Sequence, residues 1–248
     1  MSRKRGFFES SNPVMTEQAF QKSAGTLVQG GETMTVNGAV NKTLILTGIL
    51  LLGTVFSYAN PNPILMWGGA IGGFIVVIIS VFKPQYSNIT APIYAGLEGL
   101  FVGGISAAYA SVFKGIIFQA VTITMAILFM MLFLYKSGII KVTKSFRTGV
   151  IMATGAVALV YIVSLVLGMF GIQIPYLHQG GMIGIGISLV IIGIASLNLL
   201  LDFDNFEKGE QYGAPAYMEW FSAMGLLITL VWLYLEVLRL VAMLSGRD

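Results

Sequence analysis

The sequence predicts an all-α membrane protein, a bundle of seven transmembrane helices. Of its 248 residues, 56% are hydrophobic and only 10% are charged, whereas soluble domains keep about a quarter of their residues charged. A helix that crosses the ~30 Å hydrocarbon layer needs roughly 17–25 apolar residues. Seven stretches reach or approach that length: 43–58, 64–82, 91–113, 116–135, 148–172, 182–201 and 219–244.

The segment that precedes the first span, residues 1–42, lacks its hydrophobic character. Three basic residues, Arg3, Lys4 and Arg5, are followed by a polar stretch where a signal peptide would need an apolar core, so no cleavage is expected. Beyond it, small polar residues and glycines alternate with scattered apolar ones. We therefore expect a mobile cytoplasmic tail over 1–42 and a seven-helix transmembrane domain over 43–248.

Two connections between spans have distinctive sequences. The first, Ala59–Pro63, contains two prolines, each of which removes an amide donor and disfavours the helical conformation at the preceding residue. This pattern predicts a tight turn that makes spans one and two a hairpin. The connection after span six, residues 202–210, is the most acidic stretch of the chain, and we expect Asp204 and Glu207 within it to lie at the surface.

The basic residues indicate the orientation, because lysine and arginine are retained on the cytoplasmic side of membrane proteins. With a cytoplasmic N-terminus, only Lys114 and Arg247 fall outside, and the C-terminus is external. Eleven basic residues fall inside: Arg3, Lys4, Arg5, Lys22, Lys42, Lys83, Lys136, Lys141, Lys144, Arg147 and Lys208. Because this distribution fits a topology rule, we do not expect nucleic-acid binding.

Several classes of function are disfavoured by the residues that are missing. The chain has no cysteine, which excludes disulfides, thiol catalysis and cysteine-ligated metals. No nucleotide-binding or hydrolase motif is present, and the single histidine, His178, lies in a short outer loop. We therefore expect neither an enzyme nor a bound cofactor. Glycines at four-residue spacing predict close helix packing in the membrane: Gly68/Gly72, Gly69/Gly73, Gly99/Gly103 and Gly180/Gly184.

The carboxylates are the most informative residues for function. Glu98, Glu219 and Glu236 lie inside apolar stretches, and Asp202 lies at the edge of another. An aspartate at a helix centre in the bilayer costs on the order of 2.5–3.5 kcal/mol on insertion scales, so such residues mark ion pathways or packed polar networks.

Each inner carboxylate has a functional and a structural interpretation. Glu98 lies about two turns into span three, where it either lines a cation or proton path or only bonds neighbouring helices. Asp202 lies four residues after Asn198, so the two share one helix face and form a polar stripe; here we favour a functional role. Glu219 opens span seven, where the helix dipole favours an acid in any case.

The outer carboxylate has a local explanation. Glu236 precedes Arg239 by three residues, which predicts an ion pair at the outer rim. Span seven contains no lysine, which excludes a retinal Schiff base.

Three stretches, Pro92–Ser106, Asp202–Asp204 and Leu230–Arg239, resemble the Bax inhibitor-1 (TMBIM) superfamily, and in particular its bacterial YccA-like branch. The resemblance implies a last helix packed among the other six, a bacterial inner-membrane location, and a pH-sensitive calcium leak. In such members two acids on helices six and seven share a proton and loosen the gate when both ionise.

The resemblance transfers to this chain only in part. Asp202 matches the helix-six acid, with Asp204 as an alternative register, but the helix-seven position falls at Thr229, which does not ionise. The partner of Asp202 would then be Glu219 or Glu98. Spans one to four contain no arginine, so the basic latch of some small members is absent there.

Two functions follow as hypotheses. The first is a passive, pH-gated leak for protons and cations, with calcium preferred because oxygen ligands are all that the chain offers. Asp202, Glu98 and Glu219 would sense and conduct, Asp202 and Glu98 would ligate calcium transiently, and Asn198 and Thr229 would be neutral ligands. The second is a non-transporting regulator: the resemblance implies a membrane-embedded ATP-dependent protease as partner, with the tail as its handle.

Overall fold

The structure, a computed structural model, describes residues 32–171 and 181–246. Within them, seven helices are long and apolar enough to cross a membrane, which confirms the predicted fold class. A short 3-10 helix, Pro84–Tyr86, joins the second to the third. In chain order the helices are α1 (Val36–Ala59), α2 (Pro63–Phe82), α3 (Ser87–Val112), α4 (Ile116–Lys136), α5 (Lys144–Met169), α6 (Met182–Gln211) and α7 (Tyr217–Ser245).

Local sequence signals set the starts of three helices. Thr35, Asn62 and Thr143 precede α1, α2 and α5, and each side chain accepts a hydrogen bond from an amide of the first turn. Such caps satisfy amides that have no partner within the helix. Pro63 occupies the first position of α2, where its fixed backbone angle suits a helix start and its missing amide costs nothing.

Helix α7 forms the centre of the bundle and α5 its periphery. Helix α7 packs against α1, α3, α4 and α6, whereas α5 packs mainly against α6. The most apolar window of α7 is 56% buried, against 6% for that of α5. The last helix is therefore packed among the others, as expected, and α5 presents most of its surface to lipid.

The fold begins earlier than the predicted boundary between tail and membrane domain. Residues 36–42 are the first two turns of α1, and the preceding segment, residues 32–35, is bonded to the α6–α7 connection through Met34 N and Ala214 O, 2.6 Å apart. The predicted span begins at residue 43 because a hydropathy criterion does not register helical turns that contain polar residues such as Asn41 and Lys42.

The acidic stretch after span six is helical rather than a loop. Helix α6 continues to Gln211, and Phe203 and Phe206 within this stretch are buried. The true connection is only 212–216, where Gly213 adopts a left-handed conformation with φ of 61° that glycine tolerates best. The last turns of α6 thus carry charged side chains onto helix positions with defined neighbours.

The predicted turn between α1 and α2 is present. The two helices do not pack against each other as a hairpin, however, because each of them packs against α3. A methyl group added at Gly99 of α3 would collide with Leu50 O of α1, and one added at Gly69 of α2 would collide with Leu97 O of α3. These glycines let backbones approach closely. Gly68, by contrast, has no such neighbour within 4 Å, and Gly180 lies outside the described residues.

Candidate functional site

Three polar side chains line one face of α6 where it meets α5. Asn198, Asp202 and Asn205 follow each other at helical spacing and are only 7%, 2% and 3% exposed. The stripe predicted from Asn198 and Asp202 therefore exists and is one residue longer. All three lie in the interior of the protein, where polar groups need partners.

Helix α5 supplies partners at both ends of this stripe. Asn198 Nδ2 donates to Thr154 Oγ1 at 2.7 Å, and Arg147 Nη1 donates to Asn205 Oδ1 at 3.0 Å. Asp202 lies between the two bonded asparagines. We call these five residues, Arg147, Thr154, Asn198, Asp202 and Asn205, the polar seam. Because α5 packs mainly against α6, the seam is its principal polar attachment at this end.

A salt-bridge group closes the seam at the end of the bundle that carries Lys83, Lys136, Lys144 and Arg147, here called the basic end. Asp204 pairs with Arg147 and with Lys208, whose Nζ lies 2.9 Å from Asp204 Oδ2. The Asp204 side chain is 14% exposed, so the expected surface position was wrong. Arg147 brings this aspartate into the interface.

Glu207 links the same group to α4. Tyr135 OH donates to Glu207 Oε2 at 2.8 Å, and Lys136 Nζ lies 3.9 Å from Glu207 Oε1. The Glu207 side chain remains 40% exposed, in keeping with the expected surface position. Ion pairs at such exposure contribute little free energy, so Glu207 serves as a comparison for the buried pair at Asp204.

Sequence reasoning missed Arg147. It was counted only as one of eleven basic residues, although it is 8% exposed and bonded to two residues of α6. The available signal was local: Arg147 lies four residues after the helix cap Thr143, at the boundary of an apolar span. That position favours a charged group near the membrane surface but does not identify its partner.

Glu98 lies at a different interface, between α2 and α3. Tyr94 precedes Glu98 by one helical turn, and its side chain lies near the Glu98 carboxylate. Gly73 of α2 leaves room for that carboxylate, since a methyl group there would lie 3.1 Å from Glu98 Oε2. Glu98 therefore lies where α2 meets α3, whereas Asp202 belongs to the polar face of α6.

Glu219 is committed to the start of α1. Its Oε1 accepts hydrogen bonds from Thr35 N at 2.9 Å and from Thr35 Oγ1 at 3.0 Å. Lys42 Nζ lies 3.7 Å from its Oε2. The residue is 8% exposed. Glu98 and Glu219 are the two carboxylates that were expected to partner Asp202. Each of them has described contacts with other groups.

A second polar cluster joins three helices at the opposite end. Arg239 Nη2 lies 3.1 Å from Glu236 Oε2, so the ion pair that the spacing suggests is present. Tyr161 of α5 donates to Glu236 and accepts from Arg239 Nη1 at 3.2 Å, and Ser188 of α6 accepts from Arg239 Nη2 at 3.0 Å. Between this cluster and the seam, α5 and α6 enclose an apolar groove of about 530 Å³.

Thr229 is the remaining predicted site residue, and its side chain is neutral. Thr229 Oγ1 donates to Gly225 O of its own helix at 3.3 Å, so its hydroxyl is satisfied within α7. In the described part of the chain, no three histidine, aspartate or glutamate side chains come together in a way that could hold a metal ion. His178 lies outside the described ranges.

In the part of the chain that the structure describes, seven apolar helices with buried charged clusters define an integral multi-pass membrane protein. The sequence profile of the Bax inhibitor 1 like family matches residues 12–246. The chain therefore belongs to this family, whose members are generally non-enzymatic membrane proteins. Neither a curated protein nor a solved structure matches the chain significantly.

Proposed function

We propose that the protein is a passive, pH-sensitive cation leak, with calcium the favoured ion, and that the polar seam is its gate. The observation that carries this proposal is the position of Asp202, which is 2% exposed and lies between two asparagines that are both bonded to α5. A carboxylate inside a membrane bundle marks a functional position by default. The side chains that bond these asparagines, Thr154 and Arg147, belong to α5, the least buried of the described helices.

The packing of α5 supports a gating role. Only 6% of its most apolar window is buried, so its attachment depends on the seam and on the cluster around Tyr161. Helices with few buried contacts are the ones that move at low cost. Separation of α5 from α6 would expose Asp202 and Asn198 to water and to hydrated cations.

Ionisation of Asp202 is the proposed trigger. This residue is only 2% exposed, and a charge placed in the interior favours an arrangement that lets water reach it. Flux is therefore expected to rise as pH rises. Calcium suits the oxygen atoms that the path offers, from Asp202, Asn198, Thr229 and Glu98, which would act as successive transient ligands. Glu219 is the third proposed sensor.

The proposal includes the orientation of the protein and the membrane in which it lies. The basic end is rich in lysine and arginine, which favours its placement in the cytoplasm. The N-terminus would then be cytoplasmic, in the inner membrane of a bacterium.

Reconstituted vesicles that contain a calcium indicator test the leak. We expect Asp202→Asn and Glu98→Gln to lower calcium flux and flatten its rise with pH. Glu207→Gln is the matched control, because it also removes a carboxylate from α6 but from a side chain that is 40% exposed. If both site variants conduct like the unmodified protein across the pH range, the leak through these carboxylates is refuted.

A second candidate is a non-transporting regulator of a membrane-embedded ATP-dependent protease, as in the YccA-like branch. The observation that favours it is the attachment of residues 32–35 to the α6–α7 connection, through which a partner that holds the preceding residues would pull on the bundle. Deletion of 1–31 should abolish association with the protease and spare calcium flux. Equal association without those residues counts against this candidate.

A further inference from the structure

The four residues that precede α1 form an extended segment that crosses the basic end and lies along the α6–α7 connection. We call residues 32–35 the N-terminal strap. Met34 N donates to Ala214 O at 2.6 Å, and Ala216 N donates to Glu32 O at 3.0 Å. Thr33 pairs with Pro215 as an isolated antiparallel bridge. The strap thus connects the beginning of the fold to its last two helices through backbone bonds.

The first amides of α1 are capped by carboxylates from distant parts of the chain. Glu219 of α7 accepts from Thr35 N, and Glu210 of α6 accepts from Val36 N at 3.2 Å. Amides at a helix start carry partial positive charge and bind anionic groups. Both acids are therefore positioned by α1, and α1 is in turn bonded to the two helices on either side of the connection.

Gly38 and Lys42 complete this contact. A methyl group on Gly38 would occupy the position of the Glu219 carboxylate itself, so the approach requires a residue without a side chain. Lys42 Nζ lies 5.4 Å from the centroid of the Trp220 ring as well as 3.7 Å from Glu219 Oε2. The first turn of α7 is held by α1 on two adjacent residues.

The strap itself is weakly anchored in comparison with the helices. Glu32, Thr33 and Thr35 are exposed, and of its side chains only Met34 is buried, at 1% exposure. Exposed backbone bonds with few buried contacts open locally without global unfolding. Release of the strap would leave the helices formed and remove the two hydrogen bonds that Thr35 donates to the Glu219 carboxylate, which loosens the start of α7.

We propose that the N-terminal strap is a displaceable restraint that holds the closed state by fixing the start of α7 through Glu219. Glu219 is then a positioning residue of the closed state, and not a ligand in the path. This inference rests on the proposed leak, which supplies its functional readout. The strap also has a structural readout that needs no transport.

A disulfide tests the restraint directly, because the chain contains no other cysteine. Directly opposed residues of an antiparallel bridge lie within the range that a disulfide spans, so Thr33→Cys with Pro215→Cys should cross-link under mild oxidant. We expect oxidation to lower calcium flux in vesicles several-fold and reduction to restore it. Thr33→Cys alone, treated identically, controls for the oxidant. Equal flux in the cross-linked and reduced states overturns the restraint.

Release of the strap is tested by Gly38→Ala, with Gly48→Ala as the matched control on the same helix, since Gly48 has no neighbour within 4 Å of an added methyl group. Gly38→Ala should raise flux and speed hydrogen exchange of the amides of residues 34–38. If neither the unmodified protein nor any variant conducts, the leak is refuted. The hydrogen-exchange rates of the amides of residues 34–38 are then the test of the strap. Equal exchange in the two alanine variants then overturns it.

Discussion

Arg147 of α5 donates through Nη1 to Asn205 Oδ1 of α6 at 3.0 Å, and its other terminal nitrogen pairs with Asp204. One guanidinium thus bonds two neighbouring side chains of the adjacent helix. A planar group with several fixed donors suits this arrangement better than an ammonium does. At the basic end, the attachment of the least buried helix consequently relies on one buried charge together with the bond between Asn198 and Thr154.

Replacement of Arg147 should weaken this attachment measurably. We expect Arg147→Met to lower the free energy of unfolding by about 1.5–3 kcal/mol, the range for hydrogen bonds to charged groups. Arg147→Lys should recover only part of it. Surfactant-induced unfolding in micelles measures the change. Lys144→Met, which removes an exposed charge from the same helical turn, is the control, and equal loss in both would contradict the assignment.

The glycine contacts between α1 and α3 should tolerate no added methyl group. Gly99→Ala is expected to cost about 1–3 kcal/mol, since an added side chain in a packed interface displaces its neighbours, here the Leu50 carbonyl. Gly48→Ala lies on α1 without close neighbours and should be neutral or gain up to about 1 kcal/mol. Thermal unfolding of the two purified variants compares them. Similar stabilities would argue against the close approach.

The Glu236–Arg239 pair should be costly to break and cheaper to remove. Arg239→Met alone leaves a buried carboxylate uncompensated and should cost about 3–5 kcal/mol. The double replacement of Glu236 and Arg239 by methionine should cost less than the single change, because no charge remains. Unfolding measurements on both variants and on Glu236→Met complete the cycle. Additive effects would show that the two residues are not coupled.

Gly73 should control the position of the Glu98 carboxylate. A methyl group 3.1 Å from Glu98 Oε2 must displace it, so Gly73→Ala should change calcium flux without removing an ionisable group. Gly68→Ala, on the same helix with no neighbour within 4 Å, should leave flux unchanged. In a Glu98→Ala background the Gly73 change should lose its effect. A persistent effect in that background would place its cause elsewhere.

Orientation is open to a labelling experiment in a chain without cysteine. Ser137→Cys marks the basic end and Asn60→Cys the opposite end, and both positions are exposed. In intact cells, a membrane-impermeant thiol reagent should label Asn60→Cys and spare Ser137→Cys. The reverse pattern would invert the proposed topology.

The seven spans were predictable because hydrocarbon thickness sets a length that composition reveals directly. The turns Val36–Lys42 and Asp202–Gln211 were not, since helical turns outside the hydrocarbon carry polar residues and leave no hydropathy signal. The stripe of Asn198 and Asp202 followed from helical spacing. The Arg147–Asp204 pair did not, because it joins residues 57 positions apart and local periodicity contains no information on which helix faces meet.

The central position of α7 has a consequence for the order of synthesis. Helices α1, α3, α4 and α6 leave the ribosome and enter the membrane before their common partner exists. Ser106, for example, shares a buried hydrogen bond of 2.7 Å with Tyr234, which is synthesised 128 residues later. Long-range contacts of this kind delay folding until the whole chain is present. Insertion of the helices and closure of the bundle are therefore separate events. If synthesis stops before α7 is made, the other helices are inserted into the bilayer without the central helix that they pack against.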